Sequence, residues 1–317
     1  MLGILLITFP FFALVLCGYL AARRGLLPQA AIPGLNTFVL YFALPCMLYR
    51  FGASTPVAQL LDGSVIGVYL LCALLMVAFT IAVTRNTRIG WNDASFGALV
   101  AAFPNTGFMG VPLLVALLGA QAAGPAIVTI LVDLVVTSSL CIALSRLGSA
   151  DMHGAEVAAR KALRGVALNP MPWAILLGGL SSGLNLALPA PVMQTLGLLA
   201  DAASPVALFT IGAVLARSQM NSIETIPMKD YVPVALIKLV VHPVLVGLVG
   251  LAAIALGVPL SSFALTVIVL VAALPSASNV SLLAEKFGAN NGRIARIILV
   301  STVLAFVSFS AAVALLT

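Results

Sequence analysis

Two stretches decide the fold: Ala101-Ala102-Phe103-Pro104-Asn105-Thr106-Gly107 and, in the second half of the chain, Ala272-Ala273-Leu274-Pro275-Ser276-Ala277-Ser278. Each sets a proline near the middle of a long apolar run, 92–118 in one case and 261–287 in the other. A proline inside a helix removes one main-chain hydrogen bond and clashes with the turn before it. Small polar residues follow both prolines, so each run reads as two half-helices joined by a polar break. Such a break survives at membrane depth only where it is buried in protein or lines a cavity.

The rest of the chain shows that a membrane is the right setting. Of its 317 residues, 62% are hydrophobic and 8% charged, with a mean hydropathy of +1.20. Soluble domains are about half apolar and about a quarter charged. A globule of this length leaves too much surface in water to hide such a composition, so the lipid bilayer is the solvent. The basic balance, with a net charge of +6, has no aromatic interleaving and no basic stripe, and nucleic acid is excluded as a partner. Cys17, Cys46, Cys72 and Cys141 lie in apolar runs without metal-ligand spacing, so no metal site is expected.

Windows of about 20 apolar residues place ten spanning helices near 4–22, 34–53, 64–84, 92–118, 123–147, 167–186, 193–217, 231–256, 261–287 and 293–316. Arg23 and Arg24 follow the first run and no basic residue precedes it, which suits a retained first helix rather than a cleaved signal. Arg85 and Arg88 lie between helices 3 and 4. Arg146, Arg160, Lys161 and Arg164 flank the 5–6 connection, Arg217 and Lys229 the 7–8 connection, and Lys286, Arg293 and Arg296 the 9–10 connection. Thirteen of the 15 Lys and Arg thus fall on one side of the ten-helix plan. By the positive-inside rule that side is the cytoplasm, and both termini face outward, into the periplasm if the membrane is a bacterial inner one.

The polar segment 148–166 divides the chain into five helices (1–147) and five (167–317). Glu156 stands four residues before Arg160, a favourable helix-surface spacing, and the segment reads as a short interfacial helix and linker. The halves echo each other beyond the two prolines: Pro45, Leu48 and Gly52 match Pro205, Leu208 and Gly212 at one constant offset. With an odd number of helices per half, the second half enters the membrane from the opposite side. The fold expected is all-α, two inverted five-helix repeats with helices 4 and 9 broken where they cross, an arrangement used by many secondary transporters.

The run Phe103-Pro104-Asn105-Thr106-Gly107-Phe108-Met109-Gly110, together with Leu274 to Asn279, Leu44-Pro45 and Ala284-Glu285-Lys286-Phe287, resembles the auxin efflux carrier family over essentially the whole chain. Bacterial members of that family include malonate and malate permeases. The resemblance implies a scaffold of helices 1, 2, 6 and 7, through which a homodimer can form, and a mobile bundle of helices 3–5 and 8–10. It also implies elevator-like alternating access. Plant auxin exporters carry Asn-Pro-Asn-Thr in helix 4; here Phe103 stands for the first Asn, which argues against auxin itself.

Together these readings point to a permease for a small organic carboxylate, with malonate or a related dicarboxylate as the first expectation and an auxin-like or bile-acid-like monocarboxylate as the alternative. The expected substrate site is Pro104, Asn105, Thr106 and Gly107 facing Pro275, Ser276, Ser278 and Asn279. The second half-helices, beginning near Gly107 and Val280, present amide N–H groups with no partner in their own helix and a partial positive charge. The half-helix carbonyl ends can instead hold a cation.

Five ionisable groups fall inside the apolar runs: Arg50, Asp133, Asp201, Lys238 and His242, and such groups mark pathways, relays or ion pairs. Asp133, near the middle of helix 5, reads either as the proton- or sodium-coupling residue or as half of an ion pair with Lys238. Lys238 and His242, four apart on one face of helix 8, are further coupling candidates. The plain reading of Lys238 is a side chain that snorkels to the cytoplasmic interface; that of His242 is a ring bonded to a carbonyl freed by Pro243. Arg50 reaches for the headgroups and Asp201 caps or pairs locally. An enzyme is not expected: no HExxH, no matched acid pair and no Gly-x-x-x-x-Gly-Lys-Ser/Thr occurs. A channel or sensor is disfavoured because no stretch is long enough for a soluble output domain.

Overall fold

A computed structural model describes residues 2–147, 157, 160, 163–220 and 226–317, and among them there are helices and no strand longer than one bridge. In chain order the helices are α1 (Gly3–Arg23), α2 (Gln29–Ser54), α3 (Gly63–Thr84), α4 (Trp91–Ala102), α5 (Thr106–Leu118), α6 (Ala120–Leu144), α7 (Pro170–Gly183), α8 (Ala190–Met220), α9 (Val232–Ala255), α10 (Ser262–Ala273), α11 (Asn279–Lys286) and α12 (Asn291–Leu316). Seven are long and apolar enough to cross a membrane: α1, α2, α3 with the turn before it, α6, α8, α9 and α12. The helices of the two proline runs are short because the breaks divide them, and α7 has only 14 residues. The expected interfacial helix with its Glu156–Arg160 pair lies largely outside the described residues.

Four helices contain one widened turn, and three of these turns have a common cause. Val39–Ala43 precedes Pro45, Thr106–Gly110 precedes Pro112, and Ile237–Val241 precedes Pro243. The ring clashes with the carbonyl four residues back and offers it no N–H, and the helix relieves this by taking one residue more per turn. In the last case the His242 N–H bonds the carbonyl of Ile237. The fourth turn, Asp133–Thr137, has no proline. There the Ser138 hydroxyl donates to the Asp133 carbonyl at 2.8 Å, supplementing the bond that the Ser138 N–H makes to the same oxygen.

The chain forms two compact units, neither of which is one half of the sequence. The first comprises Met1–Asp62, Thr106–Val128 and Asn169–Asn221. Here α1 and α8 pack backbone to backbone: a Cβ at Gly18 would collide with the Phe209 carbonyl, and one at Gly212 with that of Val15. α2 meets α7 in the same way, Gly178 lying against Tyr49, Gly52 and Ala53, with the Ser182 hydroxyl donating to the Thr55 carbonyl at 2.8 Å. Small residues at helix contacts suit a lipid setting, where close packing rather than water exclusion holds helices together. On the outer side of α7, Trp173, Leu176, Leu177 and Leu180 are exposed, a face that only lipid or another apolar surface can cover.

The second unit comprises Gly63–Asn105, Thr129–Leu168 and Ser222–Thr317. Its centre is the pair of half-helices α4 and α10. Residues 94–102 are all buried, as are 267–274, so both are apolar all round, as a core helix must be. Polar ties gather at one end of this unit. Arg293, at the start of α12, donates to the Asp230 carbonyl at 2.7 Å and the Asp93 carbonyl at 2.8 Å. The Asp93 carboxylate accepts from the Asn290 N–H at 2.7 Å, and Arg88 pairs with Asp230 at 3.1 Å. The 3–4, 7–8 and 9–10 connections therefore meet, as their shared basic character anticipates.

Candidate functional site

α4 ends at Ala102 and α10 at Ala273, and in each case the chain then runs extended through the proline: Phe103 has φ −96° and ψ 102°, and Leu274 has φ −63° and ψ 156°. Helix resumes at Thr106 and at Asn279, one residue earlier than expected in both. The two extended pieces lie antiparallel and pair. The Asn105 N–H donates to the Pro275 carbonyl at 2.8 Å, and the Ala277 N–H donates to the Phe103 carbonyl at 2.9 Å, making Pro104 and Ser276 a single antiparallel bridge. Each break thereby satisfies two of the main-chain groups freed by the other, which is what lets two interrupted helices sit in an apolar core. The Ser276 N–H is held by the Ser301 hydroxyl of α12 at 3.2 Å.

Polar side chains gather along the two extended pieces, and some of their buried atoms go unpartnered. Asn105 and Ser276 are buried. The Ser276 hydroxyl and the Asn279 side-chain carbonyl find no partner among the described residues. Buried polar atoms are nearly always bonded in native structures, and exceptions cluster at functional positions. Pro104, Asn105, Pro275, Ser276, Ser278 and Asn279 all belong to the second unit. Thr106 and Gly107 open α5 in the first unit, where Thr106 is also buried without a hydroxyl partner and Gly107 lies by Leu44.

Beside the crossing, the second unit holds a set of buried ionisable groups. Asp133, in the widened turn of α6, is fully buried and accepts from the Tyr69 hydroxyl at 2.9 Å and the Thr137 hydroxyl at 3.0 Å. Lys238, in the widened turn of α9, is also fully buried. Its Nζ donates to the Ala272 carbonyl at 2.7 Å and lies 3.0 Å from His242 Nδ1. The Tyr69 and His242 rings are 6.2 Å apart, which links the two clusters.

Three plain readings of these residues fail. Lys238 does not snorkel, because a carbonyl at the helix break satisfies it internally, and it forms no direct ion pair with Asp133. The His242 ring meets Lys238 rather than a carbonyl, and its Nε2 has no partner among the described residues. In the first unit Arg50 and Asp201 pair with each other at 2.7 Å. Sequence reasoning names both but does not join them, since no periodicity links α2 to α8. It misses Tyr69 and Ser301; each is an ordinary residue in an apolar run, and only the fold brings it to the site.

The sequence profile of the family described as "Membrane transport protein" matches residues 5–313. The chain is 30% identical over 303 residues to the "Putative malonate transporter" of Rhizobium meliloti (strain 1021), covering 94% of this chain and 91% of that protein. It is 26% identical over 288 residues to the "Uncharacterized transporter YfdV" of Escherichia coli (strain K12), covering 88% and 86%. The protein of the same name from Shigella flexneri matches equally well.

Proposed function

The chain belongs to the membrane transport protein family, that of the auxin efflux carriers, and on that premise we propose that it carries a small organic carboxylate, malonate or a related dicarboxylate, across the bacterial inner membrane. It is a multi-pass membrane transporter rather than an enzyme. The finer reading is ten crossings in two inverted repeats, with elevator-like alternating access. The observation that carries it is the crossing of α4 and α10: two breaks at matching positions, paired main chain to main chain, and the reading takes Asn105, Ser276, Ser278 and Asn279 as its lining.

Hydroxyl and amide donors suit a carboxylate, which accepts only. A binding site made of helix ends and unwound backbone recurs in transporters built from repeats. The similarity to a protein named for malonate supports the substrate class. The division into two units supports the moving-bundle reading in part: α1, α2, α7 and α8 fall in one unit and α3, α4, α9, α10, α11 and α12 in the other, while α5 and the start of α6, expected in the bundle, fall with the first. The meeting of three basic connections at one end of the second unit supports an orientation with that end in the cytoplasm and both termini outside. A homodimer through the scaffold helices fits the exposed apolar face of α7.

Uptake of a labelled dicarboxylate panel into proteoliposomes, with proton and sodium gradients imposed separately, tests the reading. Saturable uptake of at least one dicarboxylate is expected. Uptake no greater than in protein-free liposomes for every acid offered contradicts it.

A further inference from the structure

A helix that stops inside a membrane protein leaves its last carbonyls without partners and carries about half a negative charge at that end. In broken-helix transporters such ends are places where a coupling cation sits. α10 stops in this way at Ala273. In an unbroken helix the Ala272 carbonyl would accept from the N–H of residue 276. Here the Ser276 N–H turns away to the Ser301 hydroxyl, and the oxygen it leaves accepts from Lys238 Nζ at 2.7 Å.

We propose that the Lys238 ammonium is the resident cation of this helix break, standing where a metal cation would otherwise be bound, so that transport needs no sodium. Three observations point the same way. Lys238 is fully buried, the widened turn before Pro243 sets its position, and its carbonyl partner is one freed by the break itself. The ammonium donates its second proton to His242 Nδ1 at 3.0 Å, which places the histidine's own proton on Nε2. The ionisable groups facing Lys238 and Asp133 are Tyr69 from α3, with Cys72 beside it, Cys141 from α6 and His242 from α9. From α10 the Ala272 carbonyl meets Lys238, and from α12 the Ser301 hydroxyl holds the Ser276 N–H that would otherwise take that carbonyl. A tethered ammonium neutralises the carbonyl end in every access state and blocks it to sodium or lithium. Proton exchange within this group of residues is then the remaining route for coupling to a gradient.

The inference rests on the crossing being the transport site, and the experiment separates the two. The purified protein is melted, and labelled malonate counterflow is followed in proteoliposomes, in equal concentrations of sodium, lithium, potassium or choline chloride. The wild type is expected to melt at one temperature and exchange malonate at one rate in all four salts. Lys238→Ala, which opens the carbonyl end, is expected to lose most of its exchange in choline. A cation that binds only the folded state raises the melting point, so this variant's should climb saturably with sodium, by several degrees at saturation. A wild-type protein stabilised or activated specifically by sodium or lithium overturns the inference, as does a Lys238→Ala protein whose melting and exchange ignore every cation. If Lys238→Ala does not fold, the wild-type salt series decides. If malonate is not exchanged at all, the proposed substrate fails while the melting series still tests the lysine.

Discussion

The main-chain N–H of Asn105 donates to the carbonyl of Pro275 at 2.8 Å, joining residues from opposite halves of the chain at the point where both broken helices change direction. With its counterpart from Ala277 to Phe103, this bond makes the crossing one structural piece. Pro104→Ala and Pro275→Ala each return an N–H and remove the clash that holds the break open. Each variant is expected to remain folded, to melt within a few degrees of the wild type and to lose malonate exchange. Full exchange in both variants would show that the prolines only kink their helices.

The coupling role of Asp133 is tested by Asp133→Asn. The amide keeps the size of the carboxylate but cannot exchange a proton, and it still offers an oxygen to Tyr69 or Thr137 in place of the two it replaces. Uptake in the variant is expected to stop responding to an imposed proton gradient while exchange without a gradient continues. Gradient-driven uptake equal to the wild type would make Asp133 a structural acceptor. Asp133→Ala should be worse than Asn by about 1–3 kcal/mol of stability, because two buried hydroxyls then lose their acceptor.

The close approach of α1 and α8 gives a stability prediction confined to the first unit. Gly212→Leu places a side chain where the Val15 carbonyl and the Tyr19 amide already lie. Overpacking of this kind costs about 1–3 kcal/mol or more, so the variant should melt several degrees lower or fail to accumulate. Gly67→Leu, at a helical position with nothing within 4 Å of an added Cβ, is the control and should melt as the wild type does.

Orientation is tested by tags. A periplasmic reporter fused after Thr317 should be active, and a tag inserted at Gly154 should react only with reagents admitted to the cytoplasm. The reverse pattern would contradict the ten-crossing plan and its reading of the basic connections.

Much of this architecture is legible in the amino-acid sequence. The apolar windows lie within a few residues of the helices, because length and hydropathy alone set a membrane helix. The matched prolines announce the two breaks. What the chain does not spell out locally is tertiary. Nothing near Ser276 says that it gives its N–H to Ser301, that Lys238 takes the carbonyl left behind, or that Arg50 finds Asp201. The widened turns at 133–137 and 237–241 carry no simple signature either, although Pro243 supplies the reason for the second. The division into units escapes a reading by halves, since each unit draws on both halves of the sequence.

The central claim is that the crossing binds the carboxylate of the substrate, and Asn279 tests it most directly. Its side-chain carbonyl has no partner among the described residues, so replacing it disturbs little else that the fold depends on. Malonate counterflow should be measured as a function of concentration for the wild type, Asn105→Ala and Asn279→Ala, with each protein checked for a monodisperse elution profile. Loss of one donor to a charged acceptor costs about 1–3 kcal/mol, so the half-saturating concentration should rise by about 5- to 150-fold in each variant. A half-saturating concentration unchanged from the wild type in both variants would contradict the claim and place the substrate elsewhere in the protein.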